Sequence, residues 1–262
     1  MTETIKSSYP VSFSLAGRVA LVTGAPQGLG FEIARIFAEA GARVVIAGRN
    51  AAKVEAAVER LKAGGHKVGQ AVFDLDDLAA GEAVVARIER EEGHLDILVN
   101  NAAGRDRASI EEITPDRFAA VMHTNVTASF ALSRRVVPSM AARGWGRIIM
   151  VTSVSGFRAN VNGASYGASK AALAGMMRVF TVTYARNGVT CNAIAPGGFL
   201  TEYNVPSMTE PARQSWLTQR IPTGRLGQPH EIAGAALFLA SDAGTFVNGH
   251  ELVVDGGHSI NV

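Results

Sequence analysis

Seven short apolar runs, alternating with longer stretches of helical spacing, constrain this chain more than any other feature. Residues 18–23 read RVALVT and lead through glycines into a helical stretch at 31–40. Runs at 43–47, 68–73 and 95–99 precede helical stretches at 51–62, 76–92 and 115–143. A run at 147–152 precedes a helix over about 165–187, and a run at 189–194 comes after it. After a polar stretch, a helix at 231–240 leads to the last run, 251–254. Near-continuous apolar runs suit strands covered on both faces, and strand–helix alternation produces a parallel sheet. The expected fold is α/β: one doubly wound Rossmann-type domain, a parallel seven-stranded sheet with helices on both faces. Residues 1–14 read as a flexible N-terminal arm and 15–262 as the domain. Residues 197–227 read as an irregular substrate loop, because Pro206, Pro211 and Pro222 interrupt a polar segment.

The first run ends in TGAPQGLG at 23–30, which opens the first helix. Gly24, Gly28 and Gly30 permit a tight turn, close backbone approach to a pyrophosphate, and close helix–strand packing. The N–H groups of the helix start, around Gln27 and Leu29, would face the phosphates. The second run ends at Ala47-Gly48-Arg49-Asn50. An acidic residue here would accept hydrogen bonds from ribose hydroxyls and repel a 2′-phosphate. None is present, and Arg49 can pair with that phosphate. NADP(H) is therefore favoured, while Gln27 puts no second cation in the turn and leaves NAD(H) open. The plain alternative is a solvated loop arginine. Asp74 and Leu75, after the third run, would reach the adenine amino group; Asp74 reads equally well as a helix N-cap.

Tyr166 and Lys170 stand four apart on an expected helix and so share a face. A free tyrosine titrates at about 10. A neighbouring ammonium favours the phenolate and lowers that value, which suits exchange of a proton with a substrate oxygen. Ser153 comes just after the fifth run, at the strand end where α/β sheets place ligands, and its hydroxyl can hold that oxygen. Asn125 interrupts a helix that asparagine does not favour. Singly, these residues are as well read as a surface pair, a turn serine and a solvated asparagine. Their joint occurrence with the glycine turn favours a site.

In order and spacing, TGAPQGLG (23–30), NNAAG (100–104), Asn125, Ser153, YGASK (166–170), PGGFLT (196–201) and VVDGG (253–257) resemble the short-chain dehydrogenase/reductase family, in its branch of roughly 250-residue members. The resemblance runs from about Leu15 to the C-terminus. It implies reversible hydride transfer between a nicotinamide cofactor and a carbonyl/alcohol pair. Ser153 would orient the carbonyl, Tyr166 would exchange the proton, and Lys170 would bind the nicotinamide ribose. Asn125 would hold a water in a relay to Lys170. Asn101 and Ala102 would line the cofactor, and Pro196, Gly197 and Thr201 would contact its nicotinamide side. One departure stands out: the family's NNAG is extended here, so Ala103 puts a methyl where backbone is expected beside the cofactor ribose. The resemblance also implies a homotetramer, built partly through the two long helices.

Substrate identity rests on less. Arg105-Asp106-Arg107 comes after the fourth run, near the expected cleft mouth, where Arg105 or Arg107 would hold an anionic or hydroxyl-rich substrate. That RDR and the GGFLTE stretch resemble gluconate 5-dehydrogenase-like members of the family. The rival is a 3-oxoacyl-acyl carrier protein reductase, whose acidic partner needs a basic patch; the end of the 115–143 helix offers only Arg143. A non-catalytic NADP-binding sensor should lack the acid or its lysine, and both are present.

The remaining composition excludes classes. A net charge of +2 is too balanced for a nucleic-acid footprint. One cysteine, Cys191, precludes an internal disulfide. The six histidines form no zinc-binding spacing, so no metal is expected. No targeting segment or membrane-length apolar run is present, so a cytoplasmic protein with a small-molecule substrate is expected.

Overall fold

The computed structural model describes residues 11–159, 161–205 and 211–261. Seven strands are ordered β3-β2-β1-β4-β5-β6-β7, and every adjacent pair is parallel. They are β1 (Val19–Thr23), β2 (Arg43–Gly48), β3 (Val68–Val72), β4 (Ile97–Asn100), β5 (Gly146–Val151), β6 (Val189–Pro196) and β7 (Glu251–Val254). The helices are α1 (Gly28–Glu39), α2 (Ala51–Ala63), α3 (Leu78–Glu92), α4 (Pro115–Met122), α5 (Ala128–Ala142), α6 (Ala164–Tyr184), α7 (Pro211–Arg220) and α8 (Ala233–Ala240). The doubly wound α/β expectation holds.

The inner strands β1, β4, β5 and β6 are buried at every position. The sheet therefore separates two cores. On one face Phe31, Ile33 and Phe37 of α1 pack with Val54 and Val58 of α2 and Leu239 of α8. On the other, Val85 and Ile88 of α3 pack with Leu132 and Val136 of α5 and Leu173 and Met177 of α6. Cys191 lies in this second core as a small apolar group, and burial pushes its thiol pKa up. The edge strands β3 and β7 depart from the near-continuous burial expected of all the runs. Val72 and Val253 are exposed because no further strand or helix covers them.

Side-chain caps set several helix starts. Asn50 accepts from the Lys53 N–H, Asp77 from Ala80 and Thr114 from Arg117. Asp74 is therefore not the α3 cap, and α3 begins two residues later than expected. Asp74 instead accepts from the Asp76 N–H at 3.1 Å in a local turn.

The expected 115–143 helix is one rod with a defect. A π-helical turn, His123–Thr127, separates α4 from α5. The extra residue in such a turn rotates the face that the next helix presents, and these turns concentrate at functional sites. Asn125 lies inside it, fully buried.

Residues 197–227 are not irregular throughout, because α7 lies within them. Pro211 does not interrupt this segment, because it lies within the bounds of that helix. Pro206 falls outside the described residues. Of the expected arm, residues 1–10 also fall outside them; the Ser12 carbonyl accepts from the Ala243 N–H, and Leu15 is buried.

Strand order reverses between β1 and β4, so the crevice beyond their carboxyl ends is the ligand position of such a sheet. Thr23, Asn100, Val151 and Pro196 end the four central strands there.

Candidate active site

The glycine turn is built against the loop after β4. Gly24 has φ +61°, and a Cβ placed on it would come within 2.6 Å of the Ala102 Cα. Gly30 meets the Asn101 amide nitrogen and the Gly24 carbonyl, leaving no room for a side chain. Each of the three glycines thus carries a requirement, although Gly24 makes room for Ala102 as well as for a turn. Asn101 is largely committed: its amide nitrogen donates to the carbonyls of Thr23 and Gly24, both at 2.9 Å. The Thr23 hydroxyl accepts the N–H groups of Asn101 and Ala102 at 3.0 and 3.1 Å. Gly28, at φ +62°, opens α1 with Thr201 beside it, and Leu29 packs against the core. Thr201 is nearly buried and links the PGGFLT stretch to the turn. Pro196 ends β6, and Gly197 abuts Asp255, so the PGG and DGG corners meet.

At the end of β2, Arg49 is exposed and makes no ion pair among the described residues. Asn50 caps α2. Lys53, one turn into α2, donates from Nζ to Gln27 Oε1 at 3.0 Å. The turn therefore does have a second cation beside it, supplied by α2. Sequence reading misses it, although Lys53 comes after Asn50 at the spacing that a capped helix start folds back. Asp74 is exposed and Leu75 half-buried just beyond β3.

Ser153, Tyr166 and Lys170 converge at the ends of β5 and α6. Asn162, at φ +60°, turns the chain into α6, a conformation asparagine tolerates. Tyr166 then lies in the first helical turn, where the positive helix end favours an anion. Lys170 is buried at 2% exposure, and its Nζ donates to the Val151 carbonyl at 2.7 Å. That ammonium is 5.6 Å from the Tyr166 ring centroid. Burial alone raises the Tyr166 phenol, but the charges of Lys170 and Arg105 and hydrogen bonds with Arg105 and Ser153 outweigh it. The phenol is left below its ordinary value. Burial lowers the Lys170 ammonium, Tyr166 opposes that, and Arg105 adds to it. Ser153 is nearly buried, and its Oγ also accepts from the Ser155 N–H at 3.1 Å.

Asn125 holds backbone. Its Oδ1 accepts from the Gly104 N–H at 2.7 Å, and its Nδ2 donates to the Gly104 carbonyl at 3.0 Å and to Ser169 Oγ at 2.9 Å. The side-chain amide thus tethers the NNAAG loop. Ser169, which sequence reading misses, passes the contact on by donating to the Tyr166 carbonyl at 2.8 Å. Ala103 is exposed, with its methyl on the surface of the loop.

Beyond Gly104 the RDR segment separates by charge. Asp106 takes both arms of Arg117 from α4 at 2.8 Å. Arg105 and Arg107, both exposed, pair with no carboxylate among the described residues. Arg105 lies on Tyr166, and Arg107 faces the Tyr203 ring at 5.8 Å. Arg143 does not offer a free docking charge: its guanidinium reaches Ser139 Oγ, the Leu95 carbonyl and Asp96.

Comparison with known proteins gives consistent matches. A family profile described as enoyl-(acyl carrier protein) reductase matches residues 24–259. The gluconate 5-dehydrogenase of Gluconobacter oxydans is 41% identical over 255 residues, 97% of this chain and 100% of the relative. A 5-keto-D-gluconate 5-reductase of Escherichia coli is 38% identical over 250 residues, 95% of this chain and 98% of the relative. A solved gluconate 5-dehydrogenase from Burkholderia cenocepacia, in complex with NADP and tartrate, is similar at a TM-score of 0.91 and 40% identity, covering 96% of this chain and 99% of that one.

Proposed function

The chain belongs to the short-chain dehydrogenase/reductase family, and from that premise we propose that it moves a hydride reversibly between NADP(H) and a keto-sugar acid of the gluconate type. The observation that carries this reading is Tyr166 at the carboxyl edge of the sheet, its oxygen accepting from the Arg105 guanidinium at 2.8 Å and its ring 5.6 Å from the Lys170 ammonium. The relatives named for gluconate and 5-keto-D-gluconate support the substrate class, and the NADP complex of a similar structure supports the coenzyme.

The residues present fit such a coenzyme. Gly24 and Gly30 hold the turn tightly against Ala102 and Asn101, and with Gly28 at positive φ the N–H groups at the start of α1 would face a pyrophosphate. No acid stands at the end of β2, and Arg49 and Lys53 offer two cations to a 2′-phosphate. Asp74 and Leu75 would flank the adenine, and Pro196, Gly197 and Thr201 the nicotinamide. A bound NADP(H) would supply the hydride acceptor or donor.

This chain's residues do the rest. The Ser153 hydroxyl orients the substrate oxygen and supports charge developing on it. Tyr166 gives the proton in reduction and takes it in oxidation. Lys170 keeps the phenol acidic and would hold the ribose. Asn125 fixes the loop that carries Arg105 and Arg107. Those arginines have unpaired donors toward the cleft mouth, which suits a carboxylate or a polyol.

A carrier-protein substrate is less well served, since Arg143 is engaged elsewhere. A sensor role leaves the acid, its lysine and Ser153 without purpose. A homotetramer is supported by the exposed Phe130 of α5 and Val179 and Val182 of α6, apolar groups on the two long helices. Part of residues 197–227 serves as the substrate loop in this reading, and the cytoplasm is the compartment. Among the described residues no helix is long and apolar enough to cross a membrane.

The coenzyme assignment has a direct test by fluorescence titration of NADPH and NADH. Arg49→Glu should weaken NADPH binding at least about tenfold, consistent with losing one charge-assisted contact of ~1.5–3 kcal/mol. Lys53→Ala should act in the same direction, and NADH binding should change little. An equal loss for both coenzymes would rule out a 2′-phosphate at these two cations.

A further inference from the structure

Arg105 does something that holding a substrate does not require. One of its guanidinium nitrogens donates to the Tyr166 hydroxyl at 2.8 Å, and the guanidinium carbon lies 4.2 Å from the ring centroid. A lysine four residues along the same helix is one source of charge for a tyrosine. A second cation arriving from a loop 61 residues away in sequence is not supplied by helix spacing.

The loop is held so that this contact persists. Gly104, immediately before Arg105, is tied in both directions to the fully buried Asn125. Asp106, immediately after it, is gripped by both arms of Arg117. The grip also occupies the carboxylate next to Arg105 in sequence. With Asp106 taken, Arg105 makes no ion pair among the described residues, and the Tyr166 oxygen is its hydrogen-bond acceptor.

We infer that Arg105 is a positioning residue for proton transfer, a second cation that holds the Tyr166 oxygen as an acceptor alongside Lys170. The inference rests on the reading of Tyr166 as the acid–base group. The groups acting on this oxygen come from three elements: Lys170 on α6, Arg105 after β4 and Ser153 after β5. Among the described residues no carboxylate acts on it. Both charges have the same sign, so each favours the phenolate. Removing Arg105 leaves burial opposed by Lys170 and Ser153 alone, and the phenol becomes a weaker acid.

The role has a readout that a purely structural arginine would not move. Tyrosinate ionisation can be tracked by ultraviolet difference absorption on the whole protein without substrate. Subtracting the Tyr166→Phe spectrum isolates this tyrosine from the other three. In Arg105→Met the Tyr166 midpoint should rise by about one pH unit, a tenfold loss of phenolate below the midpoint. The rise of kcat/KM with pH, measured in the alcohol-oxidising direction, should move to higher pH by the same amount. Arg105→Lys should restore part of the shift, because it keeps the charge and loses the planar fork. An unchanged titration midpoint in Arg105→Met would overturn the inference. Full turnover in Tyr166→Phe would overturn the reading of Tyr166 instead, and the titration would still report on the pairing.

Discussion

Tyr166→Phe should lose about 10²–10⁴-fold in kcat, the range that a positioned general acid–base contributes, while binding NADPH as the parent does. The substitution removes one oxygen and keeps the ring. The ring faces Arg105 and Lys170 at 4.2 and 5.6 Å from its centroid, so packing and the α6 start are retained. The oxygen is the atom on which the two cations and Ser153 converge. Without it, the proton donor on which those groups converge is gone, and the substrate oxygen must exchange its proton with solvent. Stopped-flow or steady-state turnover beside a fluorescence titration of NADPH separates the two quantities. Retained turnover would show that the proton moves by another route. A parallel collapse of coenzyme binding would show that the oxygen is structural.

Lys170→Met should be the second severe loss, with a different signature. Lys170 is buried at 2% exposure, with its Nζ on the Val151 carbonyl. Replacing a buried cation by an apolar chain of similar length is often tolerated by the fold. The Val151 carbonyl loses its donor, which costs about 1–3 kcal/mol. The larger effect is on Tyr166. Lys170 is the foremost influence lowering that phenol against burial, so its loss raises the pKa. In the alcohol-oxidising direction the phenolate is the active form, so activity rises with pH and the rise moves alkaline in the variant. Turnover near neutral pH should fall about 100-fold or more, NADPH affinity should fall with it, and raising the pH should recover part of kcat but none of the affinity. A pH profile with an unmoved midpoint would contradict the electrostatic role.

Much of this is legible in the sequence because it depends on local pattern. The inner runs are strands because apolar residues repeat without a polar face, and the glycine turn lies where its spacing puts it. Tyr166 and Lys170 share a face because a helix repeats near four. The features that stay hidden depend on residues far apart in the chain. Nothing near Arg105 announces Tyr166, and nothing in Asp106 announces Arg117. Lys53 reads as one more helix lysine until α2 folds it back over Gln27. The π-helical turn at 123–127 is invisible because its sequence, HTNVT, is compatible with ordinary helix; only the burial of Asn125 shows why the register changes there. The helix at 211–220 is hidden because Pro211 has the look of a break in a polar segment.

Initial rates of coenzyme oxidation test the pairing of NADP(H) with a keto-sugar acid most directly. The purified protein is offered NADPH or NADH with 5-keto-D-gluconate, a 3-oxoacyl thioester on its carrier protein, or a neutral ketone of similar size. NADPH with the keto-sugar acid should give the highest kcat/KM of the set, and NADH should lower it. Turnover of the carrier-bound thioester with steep salt dependence, and none of the keto-sugar acid with either coenzyme, would contradict that pairing.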